Sequence, residues 1–319
     1  MTALLEAVRP WLDSEDGGRI AELMAQIEWL GRKLYQDYEP SAYESFDERF
    51  GKWIANVTEE QDRKSLFDLL DHIFFVGRRE FEALCRAAYN RHVIRWLLDL
   101  DNVSIADPEL DRSIAAAVAR TWFCPITDSM RINAFLKVNQ LKGQSHRPDW
   151  RSLARFAAID KIRRFMGTNQ LNRIVLLEDF VGSGTQMKGA VQFASKVSAE
   201  IPILVAPLIC CPKGAEEGEA LAAAHANIKF APVLLISDNL LLKEEAREKE
   251  PPVFRSVRDL TNRFRERFDE RNRAEPFGFK STGALVVMYS NCPNNTLAAL
   301  HNESVGWRAL FPRTPRSTN

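Results

Sequence analysis

The sequence lacks a long apolar run, a net charge and a recognisable secretion signal. No apolar stretch approaches the ~20 residues that a transmembrane helix needs, and the N-terminus has neither a basic start nor an apolar core. The 43 basic residues equal the 43 acidic ones, so composition gives no bulk attraction to nucleic acid or to an anionic membrane. These absences predict a cytoplasmic protein with no membrane association and no strong nucleic-acid signal.

Cysteine is scarce as well. The five cysteines are scattered along the chain, and no two of them have the spacing of a metal site. They are Cys85, Cys124, Cys210, Cys211 and Cys292. Disulfide-stapled secreted domains use cysteine far more densely. The sequence therefore predicts reduced cysteines in the core or in loops. Internal repeats and low-complexity segments are also missing.

Residues 1–105 are predicted to form an all-helical N-terminal region. Apolar residues recur there at the i, i+3, i+4, i+7 spacing of an amphipathic helix. They are Ile20, Leu23, Met24, Ile27 and Leu30, and further along Leu66, Leu69, Leu70, Ile73 and Phe74. No segment of this region has the pattern of a strand.

Residues 106–319 are predicted to form an α/β domain. Apolar, strand-like runs alternate with helical patterns, which favours a mostly parallel sheet with helices on both faces. Open α/β sheets bind ligands at the edge formed by the carboxyl ends of such strands. The predicted strands are Thr121–Ile126, Ile174–Leu177, Ile201–Cys211, Ile228–Ile236 and Ala284–Tyr289.

The stretch Ile174–Gln186 carries the strongest functional signal. It reads Ile-Val-Leu-Leu-Glu-Asp-Phe-Val-Gly-Ser-Gly-Thr-Gln, which is an apolar strand, the acid pair Glu178 and Asp179, and a glycine turn before a helix. Backbone N–H groups of such a turn, together with a helix N-terminus, favour phosphate binding. The two acids can accept hydrogen bonds from sugar hydroxyls or hold a metal.

Two familiar phosphate motifs do not fit this turn. A Walker A loop has glycine before its lysine and Ser or Thr after it, and neither flanks Lys188. A dinucleotide fingerprint needs a third glycine and an acid ~20 residues downstream, whereas here the acids precede the turn. A plainer alternative is that the acids end a solvated strand and the turn caps the next helix.

At these residues the chain resembles the type I phosphoribosyltransferases. Their signature is an apolar strand, two acids, three variable residues, and then a small residue, glycine and often threonine. The resemblance implies that Glu178 and Asp179 are the catalytic acids and hold the ribose hydroxyls of phosphoribosyl pyrophosphate (PRPP). It also implies that the 5′-phosphate binds to the turn, at Gly182, Ser183, Gly184, Thr185 and Gln186.

That family also has an earlier loop that binds pyrophosphate, and Thr127–Arg131 stands at the corresponding place. The resemblance implies that Arg131 is a forked donor to pyrophosphate and that Asp128 or Ser129 reaches Mg²⁺. Mg²⁺ is the implied cofactor, with Asp128, Glu178 and Asp179 around it through ribose or water. Asp and Ser are also good N-caps, so this segment could instead start the following helix.

The whole arrangement is similar to a bacterial subgroup, the phosphoribosyltransferase-like domain of biological conflict systems. The likeness rests on the Thr-Asp-Ser loop, the Glu-Asp-Phe-Val-Gly-Ser-Gly-Thr motif and the C-terminal segment that starts at Asn291, and it covers about residues 115–313. Members accompany anti-phage modules, including some retron-type systems. The likeness therefore implies a role in defence, with protein partners bound through residues 1–105.

The C-terminal segment offers a candidate base pocket. Asn291, Asn294 and Asn295 follow the last predicted strand, and their amides carry the donors and acceptors that suit a base edge. A Pro-Asn turn in which asparagine caps a short helix explains the same residues equally well.

Two departures from the family favour binding over catalysis. Purine-type members have an aspartate at the position of Gly182, where it helps with proton transfer to the base. The flexible hood of many members has no clear counterpart here; Lys142–Asp149, which contains His146, is the best candidate.

The sequence thus predicts a phosphoribosyltransferase-like glycosyltransferase that binds PRPP or a nucleotide with Mg²⁺ and transfers or cleaves at ribose C1. One alternative is a non-catalytic regulatory subunit that senses PRPP or a nucleotide. The other is a toxin that cleaves nucleotides or modifies a macromolecule.

Overall fold

The computed structural model describes residues 2–141, 159–268 and 275–314. The chain divides into two compact units, each described separately. The first unit is discontinuous and consists of Met1–Arg78 and Ser237–Asn319, and the second is Arg79–Ile236. The boundary predicted near residue 105 falls inside the second unit; as a statement about independent domains it stays a prediction.

The described segments are rich in helix, and the strands form parallel sheets flanked by helices. The strands are β1 (Phe74–Val76), β2 (Thr121–Pro125), β3 (Arg173–Val181), β4 (Ile203–Cys210), β5 (Ile228–Phe230), β6 (Leu234–Leu235) and β7 (Val286–Met288). The helices are α1 (Ala3–Val8), α2 (Gly17–Lys33), α3 (Phe46–Ile54), α4 (Glu60–Leu69), α5 (Arg78–Ala87), α6 (Ile94–Asp101), α7 (Leu110–Ala119), α8 (Ile132–Val138), α9 (Ile159–Thr168), α10 (Thr185–Ser195), α11 (Pro212–Ala224), α12 (Val253–Arg263), α13 (Arg265–Phe268) and α14 (Ala298–His301). The predicted α/β class with an N-terminal helical region is confirmed.

Short helical turns complete the described segments. A π-helical turn spans Ala88–Val93, between α5 and α6. The 3₁₀ turns are Arg9–Trp11, Tyr35–Asp37, Glu39–Ser41, Leu70–His72, Asp238–Leu240 and Phe279–Ser281.

The second unit is built on a parallel sheet in the order β2-β3-β4-β5, with β6 also paired to β4. β3 is buried over its whole length, as a strand covered on both faces must be. It is longer than predicted, because β4 runs beside it and pairs Glu178 with Pro207 and Phe180 with Ile209. The acid pair therefore lies inside the strand rather than beyond its end.

One face of this sheet packs against α9, α10 and α11. The shared core contains apolar strand residues and the inward faces of the three helices: Trp122, Cys124, Ile126, Ile174, Leu176, Ile162, Met166, Met187, Val191 and Leu221. The run predicted as a single strand over Ile228–Ile236 is divided into β5 and β6. Pro232 stands in the gap, and proline has no N–H to donate to a sheet.

A second, two-stranded sheet lies in the first unit, where β1 pairs in parallel with β7. The prediction that no strand occurs before residue 105 is thus wrong at Phe74–Val76. The helical pattern ends in the turn Leu70–His72, and the N–H of Phe74 then donates to the carbonyl of Leu285 at 2.8 Å. The predicted strand Ala284–Tyr289 is found as β7, in this small sheet rather than in the larger one.

A buried arginine organises the core of the first unit. Arg49 is 1% exposed and donates to the carbonyl of Tyr35 at 2.6 Å and to that of Leu310 at 3.2 Å. Its guanidinium carbon lies 5.4–5.8 Å from the ring centres of Tyr38, Phe46 and Phe311. Carbonyl dipoles and aromatic faces surround the guanidinium and stabilise its charge in the core.

Candidate functional site

The glycine turn, residues 182–186, connects β3 to α10. Gly184 precedes the helix with φ +79°, a left-handed conformation that costs a side chain energy. A Cβ on Gly184 would lie only 2.9 Å from Cβ of Glu217, which belongs to α11. A Cβ on Gly214, at the start of α11, would lie 2.9 Å from the carbonyl oxygen of Gly182. Glycine at 184 and 214 therefore allows α11 to approach the turn closely.

The start of α10 presents backbone donors. The N–H groups from Ser183 to Met187 donate no hydrogen bond to any residue that the structure describes, and the first helical bond runs from Lys188 N to Gly184 O at 2.8 Å. The hydroxyls of Ser183 and Thr185 lie 3.1 Å apart at the surface. Unpaired N–H groups and the positive end of the helix dipole favour an anion at this place.

Glu178 is bound to the loop predicted to hold pyrophosphate. Its side chain accepts hydrogen bonds from the N–H of Thr127 at 2.7 Å and from the hydroxyl of Ser129 at 2.7 Å. The hydroxyl of Thr127 donates to the same carboxylate. Only 3% of Glu178 is exposed. The structure thus brings the two predicted motifs together, with Glu178 as the acceptor that joins them.

The environment of Glu178 shifts its proton affinity. Burial raises the pKa of Glu178 above its ordinary value, and the neighbouring charge of Asp179 raises it further. The hydrogen bonds from Thr127 and Ser129 oppose this rise, because they stabilise the ionised carboxylate.

Asp179 is buried as well, at 6% exposure, and its Oδ1 accepts the N–H of Phe180 at 2.8 Å. Successive side chains of a strand point to opposite faces, so Asp179 and Glu178 do not act side by side. Burial raises the pKa of the Cys85 thiol in α5 to about 12, with smaller contributions from Glu82 and Asp179. The Asp179 carboxylate is therefore close enough to Cys85 to affect the pKa of that thiol.

The other residues of the predicted pyrophosphate loop differ in placement. Asp128 is exposed, whereas the hydroxyl of Ser129 is turned inward to Glu178. Helix α8 begins at Ile132 with Arg131 as its N-cap residue and without a side-chain capping bond. The alternative in which Asp128 or Ser129 caps this helix is therefore not what the structure shows.

The asparagines of the predicted base pocket belong to the first unit, whereas the acid pair and the glycine turn belong to the second. Asn291 binds both backbone polar groups of Thr314, and Asn295 donates to Thr282 Oγ1 at 3.0 Å. Asn294 is half-buried, and its backbone carbonyl accepts the N–H of Phe279. The structure accounts for Asn291 and Asn295 as loop-stabilising residues, and base binding stays a prediction.

The described residues, 2–141, 159–268 and 275–314, contain no metal-binding cluster. No three His, Cys, Asp or Glu side chains are grouped there so that they could hold an ion. Of the predicted ligands, Glu178 already accepts three hydrogen bonds and Asp128 is exposed. The described residues therefore offer no complete set of protein ligands for an ion, and Mg²⁺ stays a prediction. The candidate hood, Lys142–Asp149 with His146, lies outside the described residues.

A charged pair beside the turn was not found from the sequence. Lys188 Nζ lies 2.6 Å from Oε1 of Glu217, so the pair joins α10 to α11. The two residues are remote in the sequence and carry no motif, and only the packing of the two helices brings them together.

None of the helices in the described segments combines the length and apolar character needed to cross a bilayer.

Comparison with known proteins gives one family. The model of the PRTase-CE family matches residues 50–313, which is most of the chain. Searches among curated proteins and among solved structures gave no match. The chain therefore belongs to the PRTase-CE family, a phosphoribosyltransferase-type family, and the match begins well before residue 115, where the sequence resemblance begins.

Proposed function

We propose that this member of the PRTase-CE family binds PRPP or a nucleotide and transfers or cleaves at ribose C1. The observation that supports the proposal best is the row of backbone donors from Ser183 to Met187 at the start of α10. The 5′-phosphate binds there, with the hydroxyls of Ser183 and Thr185 as further donors. A phosphate dianion satisfies donors that the described part of the protein leaves without an acceptor.

The remaining roles follow from the positions of the side chains. Asp179 contacts the ribose hydroxyls, and Glu178 holds the 127–131 loop against β3. Asp128 and Arg131 lie on that loop and face the pyrophosphate end of the ligand. Asp128 would hold Mg²⁺ through water, and the ion would supply charge neutralisation on the departing pyrophosphate.

The reaction breaks the bond between ribose C1 and a pyrophosphate oxygen, and the leaving group keeps the electron pair. A nitrogen of a base, or water, forms the new bond to C1 and loses a proton. The transition state has the oxocarbenium character of glycoside cleavage. The protein contributes orientation and electrostatic stabilisation, for which fixed backbone donors and one carboxylate suffice.

Calorimetric titration tests the binding step. The full chain is titrated with PRPP, ribose 5-phosphate and ribose, each with Mg²⁺. We expect binding of the two phosphorylated compounds but not of ribose, and a loss of about tenfold in affinity for the double variant S183A/T185V. Ser195→Ala, at the other end of α10, is the matched control and keeps wild-type affinity. No binding by the wild-type chain would sink the proposal.

Turnover separates an enzyme from a sensor. Release of pyrophosphate from Mg²⁺–PRPP, lost in Asp179→Asn, would support the enzyme. Binding of PRPP without turnover would favour the non-catalytic sensor, a second candidate that Gly182 supports, because glycine cannot transfer the proton that an aspartate transfers in purine-type members.

The defence role and partner binding through residues 1–105 stay proposals that rest on the resemblance. The cytoplasmic location, which rests on the composition, and the toxin alternative stay proposals as well. Phage plating on cells that express the wild-type chain or Asp179→Asn tests the first, provided that neighbouring genes are present. Growth arrest on expression, relieved by Asp179→Asn, would favour the toxin.

A further inference from the structure

The pair Lys188–Glu217 lies next to the glycine turn. Lys188 is one helical turn into α10, and its Nζ lies 2.6 Å from Oε1 of Glu217. The first carbons of the Glu217 side chain lie against Gly184: a Cβ placed there would be 2.9 Å from Glu217 Cβ and 3.1 Å from its Cγ. An acidic side chain is thus packed against Gly184, which lies within the row of backbone donors.

This placement has an electrostatic consequence. Side chains on a helix lean toward its N-terminus, so the Lys188 ammonium is carried back toward the turn. A carboxylate beside an anion site repels a phosphate dianion unless a cation neutralises it. The side chains of Lys188 and Glu217 are 48% and 30% exposed. The repulsion between Glu217 and a phosphate is therefore partly screened by solvent and ions, and it depends on whether Lys188 neutralises the carboxylate.

We propose that Lys188 is a charge-compensating residue of the phosphate site: it neutralises Glu217 and so permits a phosphate dianion at the glycine turn. The inference rests on the proposed function, since it concerns the same site. The aliphatic stem of Glu217 fills the space left by Gly184, and its carboxylate positions the lysine. Lys188 itself need not touch the ligand.

A double-mutant cycle tests this role. The affinities of the full chain for ribose 5-phosphate and for inorganic phosphate are measured for wild type, Lys188→Met, Glu217→Gln and the double variant. Lys196→Met, at the far end of α10, and Glu219→Gln, on the exposed side of α11, change net charge equally and serve as matched controls. Thermal unfolding of each variant confirms that it is folded.

The expected pattern is specific. Lys188→Met lowers the affinity for ribose 5-phosphate about tenfold, because an uncompensated carboxylate remains beside the site. Glu217→Gln raises the affinity severalfold, and the double variant returns close to wild type. The loss in Lys188→Met shrinks as salt is raised from 0.05 to ~0.5 M, since screening weakens the repulsion. The control variants stay within about twofold of wild type.

Three results would overturn the inference. A double variant as weak as Lys188→Met would make the lysine a direct phosphate ligand. Affinities within twofold for all variants would leave only a surface ion pair. Failure of the wild-type chain to bind phosphate or ribose 5-phosphate would overturn the proposed function together with this inference. The wild-type titration alone identifies this third result, since the first two results require a wild-type chain that binds.

Discussion

Replacement of Glu178 tests how the candidate site is held together. Glu178→Leu removes the acceptor of three donors, from Thr127 N, Thr127 Oγ1 and Ser129 Oγ. The two hydroxyls can still pair with each other, since they lie 2.6 Å apart, but the buried N–H of Thr127 is left without an acceptor. One buried orphan donor costs ~1–3 kcal/mol, and the lost hydroxyl bonds add about 1 kcal/mol.

We therefore expect Glu178→Leu to lower the free energy of unfolding by about 2–4 kcal/mol. Glu178→Gln keeps a carbonyl oxygen for the N–H of Thr127, and its amide can donate to a hydroxyl oxygen, so the expected loss at neutral pH is about 1 kcal/mol or less. Urea denaturation of the full chain measures both, and the exposed substitution Glu219→Gln is the control.

Ligand titrations separate loop positioning from sugar binding. If Glu178 positions the 127–131 loop, Glu178→Leu weakens the binding of inorganic pyrophosphate while ribose 5-phosphate keeps its affinity. Equal destabilisation by Gln and Leu would refute the hydrogen-bond argument. Loss of ribose 5-phosphate binding in Glu178→Gln, without loss of stability, would instead make Glu178 the sugar ligand that the family resemblance implies.

The pH dependence follows from the same environment. The pKa of Glu178 is raised by burial and by Asp179, so the folded chain retains a proton that the unfolded chain releases above its ordinary value of 4.5. The unfolding free energy of the wild type should therefore fall relative to that of Glu178→Gln as the pH rises above 4.5. A difference that stays constant over this range would contradict the raised pKa.

Three further predictions concern single residues. Gly184→Ala should lower the free energy of unfolding, measured by urea denaturation, by about 1–2 kcal/mol, because a φ of +79° is strained for alanine. The same change should weaken the binding of ribose 5-phosphate at least tenfold. Unchanged binding would contradict the role of the turn. Arg49→Met should cost about 3 kcal/mol, since it removes the guanidinium donor of the Tyr35 and Leu310 carbonyls and the contacts with three aromatic rings. The exposed Arg32→Met should cost less than about 0.5 kcal/mol. Burial lowers the pKa of His301 to about 4, so between pH 6.5 and 4 the unfolded chain binds a proton at this residue that the folded chain does not. The unfolding free energy should therefore fall by about 3 kcal/mol as the pH drops through that range. His301→Gln should lack this part of the acid sensitivity, and a pH profile identical to that of wild type would show that His301 titrates normally.

The local features of the site could be predicted from the sequence. An apolar run, two acids and a glycine turn are adjacent in the chain, and the structure places them as β3, its buried acids and the start of α10. The family match supports the same interpretation at the level of the phosphoribosyltransferase type.

The features that were missed depend on partners far away in the sequence. Phe74 continues the helical spacing of Leu66, Leu70 and Ile73, yet the structure shows it in a strand, since β1 pairs with the distant β7. Glu178 is indistinguishable from a sugar-binding acid until the 127–131 loop is placed beside it. The pair Lys188–Glu217 likewise depends on how closely α11 approaches Gly184, which no local pattern records.

The discontinuous first unit has a consequence for synthesis on the ribosome. Translation delivers Met1–Arg78 first, yet the rest of that unit, Ser237–Asn319, emerges only at the end. β1 therefore has no pairing partner until β7 has been synthesised, after the whole of the second unit. The unpaired backbone N–H and C=O groups of such a strand can pair with another chain. During this interval the apolar surface of Met1–Arg78 is uncovered, so the synthesis of Ser237–Asn319 determines when that segment is protected from aggregation.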